Sequence, residues 1–302
     1  MQELQLRYFQ CVARNGSLSA AANELHVAVS AVSRQIHRLE KQLGLQLFER
    51  LPRGVKLTEA GKILHAYALR NQLELRNVLA QMRGVTTLHQ HRIRIACPEG
   101  MAWYFLPKTI SEYRKNNSNI RFDLHVVSSS RASEMVKSGQ VDLALTFNLS
   151  PLMGIKIIAS HKAPICALMS SKHSLAKKER LTLSDLKNYP ITMTLGPSTI
   201  RYLFDISCNL SNISIIPEFC CDSLGAIYTM TEQSSSVIAL CGIVSVRERA
   251  TQDHLIIKPI DDPQLHRRKL QIQVMTDRKL TQPFTDFLHL LQKRLIMHSQ
   301  LG

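Results

Sequence analysis

Between residues 28 and 56 the chain gathers hydrogen-bond donors and cations at spacings suited to a polyanion. Ser33, Arg34, His37, Arg38 and Lys41 recur at three- and four-residue steps, so on a helix they share one face. Such side chains pair with phosphates and base edges. Val32, Ile36, Leu39 and Leu43 take the opposite face and read as the stripe that docks on a core. Arg50, Arg53 and Lys56 follow around Gly54, where the missing side chain lets backbone approach a partner closely. Bond-breaking chemistry has no comparable pattern. No Gly-x-Ser-x-Gly elbow, phosphate-binding loop, dinucleotide fingerprint or paired-histidine spacing occurs. The 12 histidines are scattered, and the seven cysteines (11, 97, 166, 208, 220, 221 and 241) form no CxxC grouping. The expectation is a binding protein that is not an enzyme and needs no cofactor or metal.

Those side chains need rigid carriers. Helices are predicted near 3–14, 19–26 and 30–43, with Ala20, Ala21, Ala22 and Leu25 making the second one slim enough for a close crossing. Ser30 stands where the N-cap of the third is expected. A hairpin near 49–57 comes next. Two helices, a tight turn and an Arg-rich wing make a winged helix-turn-helix, which lays one helix in the major groove and a loop beside it. Thr58 opens a long helix. Leu64, Ala68, Asn71, Leu75, Val78, Met82 and Val85 are spaced alternately four and three, a heptad stripe in which Asn71 can fix register. A reader of a palindromic site needs a dimer, so this stripe is expected to pair with a second copy.

From His91 the pattern changes to alternating strands and helices. Strands are predicted at Arg92–Cys97, Phe122–Val127 and Val141–Phe147, with helices at Pro107–Asn116 and Ala132–Ser138 between them. Further strands are expected near 164–169, 191–194, 214–219, 237–240 and 270–275, and a closing helix at 283–297. That order predicts α/β lobes with parallel sheets, crossing near 160 and 264 and enclosing a cleft. In open α/β sheets ligands bind at the carboxyl ends of strands. Those ends are Pro98, Glu99, Gly100 and Met101; Ser128, Ser129 and Ser130; and Phe147 with Asn148. The second lobe offers Gly196, Pro197, Ser198, Thr199, Arg201 and Ser223. Hydroxyls and helix N-terminal amides suit an anion, and Arg201 adds a candidate clamp, while a carboxylate at Glu99 would oppose one unless it points away.

Length and composition agree with this division. A chain of 302 residues with 45% apolar content suits two or three packed domains. The net charge of +15 is spread along it: residues 1–90 carry 12 Lys and Arg against 6 Asp and Glu, the remainder 26 against 17. A basic balance favours polyanion partners without marking a site. No apolar run is long enough to span a membrane, no secretory leader is visible, and the cysteines read as small core residues in a reducing compartment. A cytoplasmic, nucleoid-associated location is expected.

The N-terminal block resembles the DNA-binding domain of the LysR-type transcriptional regulators. Phe9, Gly16-Ser17, Ala21-Ala22, Leu25, Ala31 to Ile36, Leu39-Glu40, Leu43-Gly44, Leu47-Phe48, Arg50, Arg53 and Leu57 to Gly61 carry the likeness. It implies an α/β protein with an N-terminal all-α winged helix-turn-helix (1–58), a long linker and dimerisation helix (59–89), and a two-lobed effector domain similar to periplasmic binding proteins (90–302). Lobe I would be 90–161 with 265–302, and lobe II 162–264. The resemblance implies promoter DNA as partner, read by Ala28, Val29, Ser30, Ser33, Arg34, His37 and Arg38 with Arg50, Arg53 and Lys56 in the wing. Val29 stands where many relatives carry Gln, so it would pack on a thymine methyl in place of a bidentate contact. A small-molecule effector, with an anion as working expectation, would close the cleft and change DNA bend or spacing. A homodimer or homotetramer and contact with RNA polymerase are implied too. Two departures stand out. Gln233-Ser234-Ser235-Ser236 and then Leu240-Cys241-Gly242 replace the usual Gly-rich turn and Leu-Pro step, so no relative's effector can be borrowed. Peroxide-sensing relatives place a cysteine where this chain has Thr199-Ile200, leaving Cys208 alone near a resolving position and Cys220-Cys221 on opposite faces of a strand.

Overall fold

The computed structural model describes residues 3–84, 91–147, 154–276, 278 and 280–299. It divides into two compact units, Met1–Met82 and Arg83–Gly302. The first holds α1 (Glu3–Asn15), α2 (Leu18–Leu25), α3 (Val29–Leu43), a hairpin of β1 (Phe48–Arg50) and β2 (Val55–Leu57), and α4 (Glu59–Gly84). Local chemistry sets the boundaries. Ser17 starts α2 by accepting the Ala20 N–H, and Gly44, at φ 68°, ends α3 in the left-handed region. The turn between α2 and α3 passes through His26, a non-glycine residue at φ 54°.

Here one expectation needs correcting. The N-cap of α3 is Ala28, with no side-chain cap, and Ser30 lies inside the first turn. Val27 packs on the core of this unit, and that anchor starts the helix earlier than the capping preference of Ser30 would.

The core is formed by Phe9, Val12, Ala21, Ala22, Val32, Ile36, Leu39, Leu47 and Phe48. Full burial of each large apolar side chain is worth about 1.5–3 kcal/mol, so the α3 stripe Val32, Ile36 and Leu39 is the main hold on the helix. The wing is fixed at both ends. Glu40 Oε1 accepts the Leu47 N–H at 2.8 Å and the Phe48 N–H at 3.3 Å. Val55 donates to the Gly16 carbonyl at 2.8 Å, and a Cβ on Gly54 would lie 2.3 Å from that oxygen. Thr58 caps α4 by accepting the Gly61 N–H at 3.0 Å, while a Cβ on Gly61 would sit 2.1 Å from the Leu47 carbonyl. The Leu-Thr-Glu-Ala-Gly run is therefore a docking device between helix and wing.

The second unit begins with β3 (His91–Cys97), α5 (Glu99–Ala102), α6 (Phe105–Asn116), β4 (Ile120–Val126), α7 (Ser129–Lys137), β5 (Leu143–Thr146) and β6 (Ile155–Lys162). The chain then forms β7 (Ile165–Ser170), α8 (Leu183–Leu186), β8 (Ile191–Thr194), α9 (Thr199–Leu210), β9 (Phe219–Cys221), α10 (Leu224–Glu232), β10 (Ile238–Gly242), α11 (Ile243–Ala250) and β11 (Leu255–Pro259). It returns through β12 (Lys269–Met275) and ends in α12 (Gln282–Ser299). The sheets run β4-β3-β5-β12-β6 and β11-β7-β10-β8-β9. Their crossovers lie between β6 and β7 and between β11 and β12.

Both sheets are mixed, where parallel ones were expected. β12 is antiparallel to β5 and β6, and β7 is antiparallel to β10 and β11. The reason is the double crossover: a strand that arrives from the other lobe needs no covering helix and enters in either direction. β9 starts at Phe219, later than the predicted 214–219, because Pro217 lacks the amide a ladder needs. The lobes share one continuous core, in which Met101, Phe105 and Phe287 of the first meet Tyr228, Ile243 and Val244 of the second.

Candidate DNA-reading face and ligand cleft

In the first unit, Ala28, Val29, Ser30, Arg34, His37 and Arg38 are exposed on α3 and Ser33 is half-buried. Arg50, Arg53 and Lys56 are exposed on the wing. Val29 is 43% exposed although apolar, available for contact with a partner. None of the five arginines and lysines among these residues holds a carboxylate within the described residues. By contrast Arg14 pairs with Glu24, and Lys62 with Glu59. Cations without an ion-pair partner have no salt bridge to break before they meet a phosphate.

In the second unit a cavity of about 410 Å3 opens at the carboxyl ends of the strands. Glu99, Gly100, Ser128, Ser129, Ser130, Phe147, Ser198 and Thr199 line it, as the strand-end rule led us to expect. Most of their hydroxyls are already engaged. Ser128 and Ser198 cap α7 and α9, Ser129 Oγ accepts the Phe147 N–H at 3.0 Å, and Ser198 also meets Thr194 Oγ1 at 2.8 Å. The cleft therefore receives the amino ends of α7 and α9, with their partial positive charge.

Glu99 lines the cavity but commits its carboxylate to a helix start. Its Oε2 accepts the Leu224 N–H at 2.8 Å, at the start of α10. Burial pushes its carboxyl above the ordinary range, and the amides of Leu224 and Gly225 and the Ser223 side chain draw it back. The repulsion anticipated from sequence is thus absorbed by a helix terminus.

Three further candidates fall outside the cleft. Met101 is fully buried in the shared core. Arg201 spends its Nε on Asp205 one turn along α9, at 2.9 Å, and does not line the cavity. Ser223 caps α10 through the Ala226 N–H. Asn148 lies outside the described residues.

The group that sequence reading missed is Arg268. It lines the cavity, is 4% exposed, and stacks its guanidinium 3.4 Å from the Phe147 ring centre. Nε donates to Thr199 Oγ1 at 3.0 Å, and Nη1 reaches the Ala163 carbonyl at 3.4 Å. Burial draws its pKa down to about 9, which still leaves it cationic at neutral pH. In sequence it lies inside a basic run, His266-Arg267-Arg268-Lys269, that reads as solvated surface.

Cys220 packs on the second lobe's core and Cys221 on the shared one, so they occupy opposite faces of β9. Among the described residues no His, Cys, Asp and Glu side chains cluster as metal ligands would. No helix among them is long and apolar enough to cross a membrane.

Comparison with known proteins decides the identity. The family model for the bacterial regulatory helix-turn-helix protein, lysR family, matches residues 4–62, and that for the LysR substrate binding domain matches residues 86–296. The chain belongs to the LysR family. It is a DNA-binding transcriptional regulator with an effector-binding domain, and not an enzyme. The probable RuBisCO transcriptional regulator of Trichormus variabilis is 28% identical over 320 residues, covering 97% of this chain and 94% of that one. The regulator CysB of Haemophilus influenzae is 31% identical over 223 residues, 70% of this chain and 68% of that one. Among solved structures, a full-length OxyR variant from Pseudomonas aeruginosa superposes with a TM-score of 0.61 at 16% identity, covering 99% and 96% of the two chains. CbnR in complex with its target DNA gives 0.51 at 21% identity, with 97% and 99% covered. These two likenesses support the LysR fold.

Proposed function

We propose that this regulator reads DNA with α3 and its wing, and that a small molecule in the cleft of the second unit modulates that binding. Residues 1–58 form the DNA-binding domain, 59–89 the linker and dimerisation helix, and 90–302 the effector domain. Ala28, Val29, Ser30, Ser33, Arg34, His37 and Arg38 face the major groove, and Arg50, Arg53 and Lys56 track the backbone or minor groove. The observation that carries the reading is the set of exposed, carboxylate-free cations on this one face. The protein works in the cytoplasm at the nucleoid, as a dimer through α4 and a tetramer through its effector domains, and contacts RNA polymerase at its promoters.

Base contacts and phosphate contacts fail differently, and that difference is the test. Arg34→Ala should lose about 1–3 kcal/mol of discrimination between operator and random DNA, whereas Lys56→Ala should weaken both alike and lower the salt slope by roughly one. Binding titrations at several salt concentrations measure both quantities. Unchanged discrimination in Arg34→Ala would falsify its role as a base reader.

A further inference from the structure

We infer that the cleft is built for a small organic acid with a single negative charge, its carboxylate seated on Arg268 and its body along the apolar wall. The inference rests on the reading of this cleft as the effector site.

Three partly or wholly buried arginines of the second unit hold carboxylates. Arg294 holds Glu112 and Glu248, and Arg278 and Arg94 both hold Asp142. Arg268 has no carboxylate among the described residues, and its Nη2 makes no hydrogen bond there. A buried charge without a counterion is costly, so a site that keeps one is shaped around an anion that arrives from outside. The surroundings are fitted to the guanidinium. A Cβ on Gly242 would lie 2.2 Å from Nη1, so any larger residue there would evict it. Phe147 supports one face, and Thr199 orients Nε. The amino ends of α7 and α9 open onto the same cavity and add their partial charges.

The count of one charge follows from what opposes a second. The start of α10, another helix terminus beside the cleft, is already filled by the Glu99 carboxylate. Asp222, at the rim, repels another anion. Val126 and Leu195, each more than half exposed, together with Pro197, Ile200 and Leu240 offer apolar contact for the rest of the molecule. A cavity of about 410 Å3 takes a compact ligand. The Arg268 carbonyl accepts the Ala163 N–H at 3.0 Å, so the anchor sits on the paired crossover strands that join the lobes.

The test uses the full-length protein and thermal unfolding. A panel of straight-chain and phenyl-substituted monocarboxylates is compared with the matched primary amides and with inorganic phosphate. At about 10 mM ligand at least one acid should raise Tm by about 2–4 °C, while its amide and phosphate do not. Arg268→Gln should abolish that shift, with the unliganded Tm of the variant measured alongside to show that it folds. Equal shifts from acid and amide, an equal shift from phosphate, or no shift from any acid would overturn the inference. If a shift survives Arg268→Gln and vanishes when Ser130→Trp fills the cleft, the anchor is wrong and the effector site stands. If it survives both variants, the effector-site reading falls as well.

Discussion

At the scale of single residues, two arginines show what a sequence reveals and what it hides. Arg34 is legible because its neighbours at three- and four-residue steps are either core or polar, and the helical period sorts them. Arg268 is not legible. Its stacking partner Phe147, its hydroxyl Thr199, its carbonyl Ala163 and the space at Gly242 all lie far away in sequence. Arg201 was the natural candidate from local context, yet an i,i+4 carboxylate, Asp205, claims it. Backbone strain is a residue-scale property too. His26 holds a left-handed conformation that costs an L side chain about 1–2 kcal/mol and costs glycine little. His26→Gly should therefore stabilise the first unit by about 0.5–1 kcal/mol after the extra freedom of its unfolded chain is deducted. A denaturant titration measures it, and a lower midpoint would show that the His26 side chain contributes more than the strain costs.

Elements were readable where one face is buried and the other wet. α3 falls close to its predicted range for that reason, whereas β7 and β8, buried on both faces, were readable as short apolar runs bounded by turn residues. β6 and β11 were not anticipated: β6, at an edge of its sheet, carries Lys156, His161 and Lys162 and exposes Ile157, so its pattern resembles a loop. Strand direction was illegible as well, since nothing local in β12 records that it returns from the other lobe. The long helix α4 makes the strongest element-scale prediction. Leu64 and Ala68 pack on the first unit's core or are buried, while Leu75 and Val78 remain 49% and 42% exposed. A monomer gains nothing from that stripe, whereas a second copy buries it. Leu75→Glu combined with Val78→Glu should shift the protein toward monomer and weaken operator binding at low concentration. Light scattering across a dilution series checks this, and an unchanged mass would move the dimer contact elsewhere.

For the whole molecule, the shared core of the lobes limits how a ligand can act. Trp103 and Tyr228 stack across the lobes at 4.7 Å, and Lys108, Glu112, Glu248 and Arg294 tie α6, α11 and α12 together. A coupling of roughly 1–3 kcal/mol between cleft and DNA is enough for regulation. The two-module plan was visible in sequence because the pattern changes near residue 91 from helical stripes to alternating strands and helices. The chemistry of the cleft was visible only in outline, because lobe-to-lobe contacts such as Glu99 with α10 join segments over a hundred residues apart.

The most direct measurement of the central claim is a map of every genomic site occupied by this protein in its source cell, for the wild type and for Arg34→Ala. Sequence-specific regulation through α3 predicts discrete sites with dyad symmetry in the wild type and their loss in the variant at equal protein level. Diffuse occupancy in the wild type, or the same discrete sites in the variant, would contradict it.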